Sequence, residues 1–164
     1  MKFLQCTLYL ALTGAAGFFA GRIFPKRWTE PGKGIYRCFA FEKDGQIYEK
    51  LGIRKWQKKL PDMSRILPFL MPPKNLTGAY KERLPVMIRE TCVAELTHIV
   101  MAVVGLGCLW LWPGWGGVMM TLIDILLLNL PFILIQRYNR PRLIRLQRKL
   151  DAKAEKKEEA ICVS

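Results

Sequence analysis

Apolar residues are not spread evenly along this chain. They gather in three long runs, and the charged residues fill the stretches between. The first run, FLQCTLYLALTGAAGFFAGRIF from Phe3 to Phe24, has 22 residues and a single charge, Arg22. The second extends from Val93 to Trp112. The third, GGVMMTLIDILLLNLPFILI, runs from Gly116 to Ile135 and is interrupted by Asp124 and Asn129. Each approaches the ~20 residues that cross ~30 Å of hydrocarbon at ~1.5 Å per residue. Lipid offers no partner to a free N–H or C=O, so such runs are helices. The pattern predicts an all-α integral membrane protein with transmembrane helices at 3–24, 93–112 and 116–135. A cleaved signal peptide is the alternative for the first run. Its apolar stretch exceeds the ~7–15 residues of a signal core, and AGR at 20–22 is a weak cleavage site, which favours retention.

Between the first two runs, residues 25–89 alternate aromatic and aliphatic side chains with lysines. In FAFEKDGQIYEKLGIRKWQKKLPD the spacing of Tyr48 and Leu51, then Ile53, Trp56 and Leu60, favours short amphipathic helices. Asp44-Gly45 is also a hairpin signal, so a strand pair is the competing reading. Helices of this kind lie in the interfacial plane, rings at headgroup level and lysines toward anionic lipid. Pro61 stops the run, and LPFLMPPKN, with Pro68, Pro72 and Pro73, is too broken to span and reads as a stiff or re-entrant connector. Pro85 sits near the first turn of a helix that enters the membrane through PVMIRETCVAELTHIV. From Arg140 the chain is a basic amphipathic helix, passing into a solvated charge run beyond Leu150. At 164 residues the length fits one membrane domain, 1–150, and a charged tail, 151–164.

Composition adds orientation. Hydrophobic residues make up 51% of the chain, yet its formal charge is +13. Fifteen Lys and Arg lie between Lys26 and Arg89 and nine from Arg137 to Lys157, whereas the connector WPGWGG has none. The positive-inside rule therefore predicts a multi-pass protein of the cell membrane, with 25–89 and the C-terminal tail cytoplasmic and the N-terminus outside. Cations confined to the flanks of apolar runs argue against a nucleic-acid partner. Five cysteines (Cys6, Cys38, Cys92, Cys108, Cys162) form no CxxC pair and suggest neither a disulfide framework nor a zinc site.

Candidate chemistry concentrates in ETCVAELTH, residues 90–98, which holds the only histidine of the chain. At ~100° per residue, Glu90, His98, Thr91 and Glu95 share an arc of ~140°, with Glu95 and His98 as i,i+3 neighbours within hydrogen-bond reach. Ionisable groups at membrane depth face a cavity or a partner rather than lipid. If the second and third helices form a hairpin about WPGWGG, His98 lies ~21 Å from Trp112 and Asn129 ~20 Å from Gly116, so the two are level. Gln136, Arg137, Tyr138, Asn139 and Arg140 follow at the interface, and Asp124 lies deeper. The plainer reading is that Glu and His only mark where a helix leaves water. Haem would require a second axial ligand, and ExxH supplies only half of a di-iron motif, so no metal ligand set is predicted.

An imidazole beside a carboxylate at the water–lipid boundary suits general-base activation of a hydroxyl. Nearby Arg, Asn and Gln side chains suit an oxyanion or a phosphate. The greasy opposite face points to a lipid substrate, and together these suggest acyl transfer between lipid-like partners. No resident cofactor is implied. Arg54, Lys55, Lys58 and Lys59, with Arg137, are candidates to meet the phosphates of an acyl-CoA or an acidic acyl carrier protein; attraction to anionic lipid explains the same cluster equally well. A covalent route through Cys92 or Cys38 is the variant mechanism, although Cys92 lies ~120° from His98 on the helical wheel. A different class of function is a non-catalytic membrane scaffold, or a lipid-binding subunit whose basic face recruits an acidic partner.

Three stretches, YEKLGIRKWQKKLPD (48–62), ETCVAELTH (90–98) and NLPFILIQRYNRPRL (129–143), resemble the signature blocks of the glycosyl-4,4'-diaponeurosporenoate acyltransferase family. They occur in order, and the resemblance covers roughly residues 25–145. It implies a small bacterial membrane enzyme that joins a fatty acyl group to a sugar hydroxyl of a membrane glycolipid, a step of carotenoid biosynthesis for the named member. Carried onto this chain, the second block supplies Glu90, Glu95 and His98 as candidate catalytic residues. The third supplies Asn129, Gln136, Arg137 and Asn139, and the first Tyr48, Lys55 and Trp56, as candidate substrate-binding residues. The implied partners are membrane lipid, the glycolipid acceptor and an acyl carrier protein or acyl-CoA as donor.

Overall fold

The computed structural model describes the backbone of residues 1–60 and 80–162 and the side chains of 1–60 and 83–155. Helices dominate, and no strand occurs among the described residues. Three helical stretches, Lys2–Ile23, Arg83–Leu111 and Trp115–Glu155, are long and apolar enough to cross a membrane. The protein is an all-α membrane protein with three such helices. The Pro-rich connector expected at 61–73 lies outside the described residues.

The chain divides into two compact units. One comprises Met1–Arg37 and Arg89–Arg137; the other comprises Cys38–Ile88 and Tyr138–Ser164.

In the first unit, helix α1 (Lys2–Ile23) exposes Phe3, Leu4, Leu8, Leu12 and Phe19 and buries Cys6. A leucine- and alanine-rich helix with so few buried positions is built for lipid rather than for a protein core. Its other face approaches helix α4 (Tyr80–Gly105). A Cβ at Gly17 would lie 2.6 Å from Met101 Sδ, and one at Gly21 2.8 Å from Thr97 Oγ1. Gly17 and Gly21 thus form a small-xxx-small seam, where van der Waals contact replaces a hydrophobic driving force that lipid cannot supply. The Tyr9 hydroxyl donates to the Val104 carbonyl at 2.7 Å, at a point where α4 is about to end.

Helix α4 ends earlier than the apolar run predicts. A tight turn at Leu106–Gly107 separates it from the short helix α5 (Cys108–Leu111). Trp112, Pro113 and Gly114, the last at φ 98°, then reverse the chain into helix α6 (Trp115–Ile123). Cys6, Cys108 and Met120 form a small buried cluster with Tyr9, Leu10, Leu111 and Trp112 around it.

Beyond α6 the backbone opens into a π-helical turn, Asp124–Asn129, before helix α7 (Leu130–Cys162). Leu126, Leu127 and Leu128 are exposed on the outside of that turn, whereas Asp124 and Asn129 are buried. The charged tail expected to be solvated beyond Leu150 stays helical to Cys162.

The strap that follows α1 has little regular structure, only 3₁₀ turns at Lys26–Trp28 and Gly34–Tyr36. Two arginines hold it. Arg89 Nε donates to the buried Thr29 hydroxyl at 3.2 Å, and Arg137 donates to the carbonyls of Ile35 and Arg37 at 2.8 and 3.2 Å. These carbonyls have no secondary structure to satisfy them, so a guanidinium does so instead.

In the second unit the amphipathic reading of the Tyr48–Leu60 stretch holds. Helices α2 (Gln46–Lys50) and α3 (Ile53–Trp56) are short and bury Tyr48 and Ile53. No hairpin forms at Asp44-Gly45. Those residues instead end a 3₁₀ segment, Ala40–Gly45, in which Lys43, Asp44 and Gly45 all have positive φ (46°, 55° and 89°).

Candidate active site

Helix α4 turns Thr91 and Glu95 into the protein and leaves His98 half-buried one turn further on. The predicted level pairing of His98 with Asn129 is present: His98 Nδ1 lies 3.0 Å from Asn129 Oδ1. The Phe132 ring stacks on the imidazole with centroids 4.7 Å apart and planes 5° from parallel. Phe132 follows Asn129 by three residues on α7, so one helical face supplies both the hydrogen bond and the apolar lid.

The orientation of Asn129 is dictated from behind. Its Nδ2 donates to the Asp124 backbone carbonyl at 3.0 Å and to Asp124 Oδ1 at 2.9 Å. A backbone carbonyl only accepts, so the amide atom facing it is the NH₂ nitrogen, and the oxygen faces His98. His98 Nδ1 must then carry a hydrogen. In the neutral ring this leaves Nε2 as the basic nitrogen.

The π turn makes this relay possible. In an α-helix, residues five apart point ~140° away from each other. A turn with i→i+5 hydrogen bonds stacks them instead, and Asp124 and Asn129 meet. Asp124 Oδ2 is buried with no hydrogen-bond partner among the described residues and packs against Gly105, where an added Cβ would collide with it.

Glu95 is not the partner of His98 that the i,i+3 spacing suggests. Its Oε1 accepts from Arg137 Nη1 at 2.7 Å, with side chains 1% and 13% exposed. A guanidinium with five donors outcompetes a neutral ring for a buried carboxylate. Both terminal nitrogens of Arg137 are thus engaged, by Glu95 and by the strap carbonyls. Glu90 is exposed at the start of the same stretch, and Gln136 is half-buried four residues beyond Phe132.

Tyr48, Lys55, Trp56 and Asn139 belong to the second unit. Tyr48 is buried with its hydroxyl on Glu42, Trp56 Nε1 donates to the Leu51 carbonyl at 3.1 Å, Lys55 is exposed and Asn139 half-buried. Sequence reasoning missed Asp124 as the anchor of Asn129, Phe132 as the stacking ring and Glu42 as a buried acceptor. A usable signal existed for Asp124 alone, since a carboxylate within an apolar run demands a partner.

A family model for glycosyl-4,4'-diaponeurosporenoate acyltransferase matches residues 32–149, an interval that contains all three sequence blocks and the His98–Asn129–Asp124 chain. This protein belongs to that family. Among the relatives of this glycosyl-4,4'-diaponeurosporenoate acyltransferase family member, the one so named in Staphylococcus aureus strain Newman is 29% identical over 157 residues, 92% of this chain and 91% of that protein. The one of strain N315 is 28% identical over the same extent. No solved structure matches the chain. As a member of the family the protein is an acyltransferase, which sets aside the non-catalytic scaffold.

Proposed function

We propose that this enzyme transfers a fatty acyl group to a sugar hydroxyl of a membrane glycolipid, with His98 as general base. The observation that carries the reading is the hydrogen bond from His98 Nδ1 to Asn129 Oδ1, which leaves the lone pair of Nε2 for a substrate.

In this mechanism Nε2 takes the proton of the sugar hydroxyl as its oxygen attacks the carbonyl carbon of an acyl thioester. The tetrahedral intermediate collapses, the C–S bond breaks, and the imidazolium returns its proton to the departing thiolate. The products are an ester and a thiol. Asn129 and Phe132 hold the ring in place, and Asn129 is itself set by Asp124. Among the amide and guanidinium donors near this face, Asn129 spends its N–H groups on Asp124 and Arg137 is engaged by Glu95 and the strap. Gln136, seven residues and so two turns or about 10 Å from Asn129 on the same helical face, is assigned to binding the acceptor rather than to the reacting carbonyl. Glu95 acts through Arg137 as a positioning residue, and Glu90 is assigned to the acceptor sugar. The donor class is an acyl-CoA or an acyl carrier protein, the acceptor a glycosylated apolar lipid such as the relatives' name describes, and the polar residues face the cytoplasm.

The test is acyl transfer by purified protein in lipid nanodiscs, with extracted glycolipid as acceptor. His98→Ala is expected to lower kcat/KM by about 10²–10⁴, the contribution of a positioned base, and to lower the melting temperature only as far as the lost bond to Asn129 Oδ1 and the lost stack on Phe132 account for. Wild-type rates in His98→Ala would remove the mechanism.

A further inference from the structure

In the second unit, an open cleft of about 580 Å³ lies against α2, α3 and the middle of α7, at Tyr138, Arg142 and Arg145. Among the described residues it is lined by four cations, Lys50, Arg54, Arg142 and Arg145, and two carboxylates, Asp44 and Glu49. Its volume falls in the ~300–1,000 Å³ range of small-molecule sites.

The cleft has a fixed floor. Tyr138 is fully buried, and its hydroxyl accepts from Arg54 Nε at 3.1 Å and donates to Glu49 Oε1 at 3.3 Å. Glu49 Oε1 also pairs with Arg54 Nη2 at 2.5 Å, so one of the two carboxylates is already neutralised. The Arg142 guanidinium lies 4.8 Å over the Tyr138 ring, a cation–π contact that anchors it in the cleft.

One wall is a strained turn. Lys43 and Asp44 both adopt left-handed backbone, which L residues avoid, immediately before Gly45. The conformation is pinned from three sides. Buried Glu42 accepts from the Phe39 N–H at 2.7 Å and from the Tyr48 hydroxyl, Arg145 Nη2 donates to the Asp44 carbonyl at 3.2 Å, and a Cβ at Gly45 would lie 3.4 Å from the Tyr138 carbonyl. Strain held this firmly characterises ligand sites more than spacers.

We propose that this cleft is a phosphate-binding site. Arginine forks and a lysine in excess over carboxylates recognise a phosphate ester, and the Arg142–Tyr138 stack offers a planar surface for a base. Resting on the acyl-transfer reading, the phosphates are those of the nucleotide end of an acyl-CoA; an anionic phospholipid headgroup carries the same chemistry. Lys55, Lys58 and Lys59, candidates from the sequence, do not line the cleft, and of that set only Arg54 does.

The experiment is calorimetric titration of the full chain, in nanodiscs of phosphatidylcholine, with adenosine 3',5'-bisphosphate and separately with a short-chain phosphatidylglycerol. Arg142→Gln with Arg145→Gln is expected to weaken binding at least about tenfold, the equivalent of ~1.4 kcal/mol. Lys26→Gln with Arg27→Gln removes the same charge from exposed positions in the other unit and is expected to change affinity less than about twofold. Lys50→Gln serves as a second cleft variant should the double one fold poorly. Binding of the nucleotide assigns the site to the donor, and binding of the phospholipid alone assigns it to a headgroup. No binding of either, or equal weakening by the control pair, overturns the proposal. His98→Ala is expected to bind normally, so a failed general-base mechanism and a failed phosphate site give different results.

Discussion

Asn129 reaches back five residues to hold Asp124 by both its carboxylate, at 2.9 Å, and its backbone carbonyl, at 3.0 Å. The contact belongs to the π turn, and through Asn129 it fixes which nitrogen of His98 carries the hydrogen. Asp124 therefore influences a ring it does not touch.

Substitutions along that relay separate its parts. Asp124→Asn retains a carboxamide oxygen as acceptor and is expected to keep kcat/KM within about tenfold of wild type. Asn129→Leu strands Nδ1 of His98 and the buried carboxylate, and is expected to lower stability by about 1–3 kcal/mol and to abolish most transfer. Thermal melts in detergent alongside initial rates check both, and equal rates for Asn129→Leu and wild type would contradict the relay.

The Glu95–Arg137 pair is nearly dry. Removing one partner leaves the other charge buried, so Glu95→Ala is expected to lose about 3–5 kcal/mol. Replacing both by Leu and Met removes both charges and is expected to recover part of the loss, less the contribution of the strap carbonyls that Arg137 also satisfies. A double-mutant cycle on melting temperature measures the coupling.

Gly105 offers a steric test. A Cβ there would overlap Asp124, whereas one at Gly14 meets nothing within 4 Å. Gly105→Ala is expected to cost about 1–3 kcal/mol by overpacking and to lower activity, and Gly14→Ala to do neither. Equal melting temperatures for the two variants would show that the approach is looser.

Cysteine labelling reports on the second unit. Cys38 is exposed, while Cys6, Cys92 and Cys108 are buried. Partial burial of the Cys38 sulfur raises its pKa, and the nearby carboxylates of Glu42 and Asp44 add to the shift. Less thiolate at pH 7 means slower maleimide labelling than a free thiol shows, with the rate climbing as pH rises beyond the ordinary thiol range. Among these four, Cys38 is expected to be the one labelled in the folded protein. Full transfer activity after Cys38→Ser and Cys92→Ser together is the matching expectation for a mechanism without a thioester on the chain.

The three membrane helices were legible because hydrophobic run length translates directly into membrane thickness, and the level of His98 and Asn129 followed from counting residues to a turn. The partner of Glu95 was not legible. Helical spacing proposes only neighbours on the same helix, and Arg137, 42 residues away, wins on charge. Asp124 was hidden for a different reason: residue counting put it only deeper than Asn129, a regular α-helix points residues five apart to different sides, and only a change of helix type brings them together. The left-handed turn at Lys43–Gly45 was half visible, because Asp-Gly signalled a bend and hairpin chemistry was the more familiar use of it.

The widened turn also leaves the chain with an uneven tolerance for changes in length. It holds one residue more than an ordinary coil of helix would, so dropping Leu126, Leu127 or Leu128 puts Asp124 and Asn129 four apart, still neighbours, with Phe132 and Arg137 in their original phase. Adding a residue there has no such slack and swings everything downstream by ~100°, carrying Phe132 off the imidazole and Arg137 off Glu95.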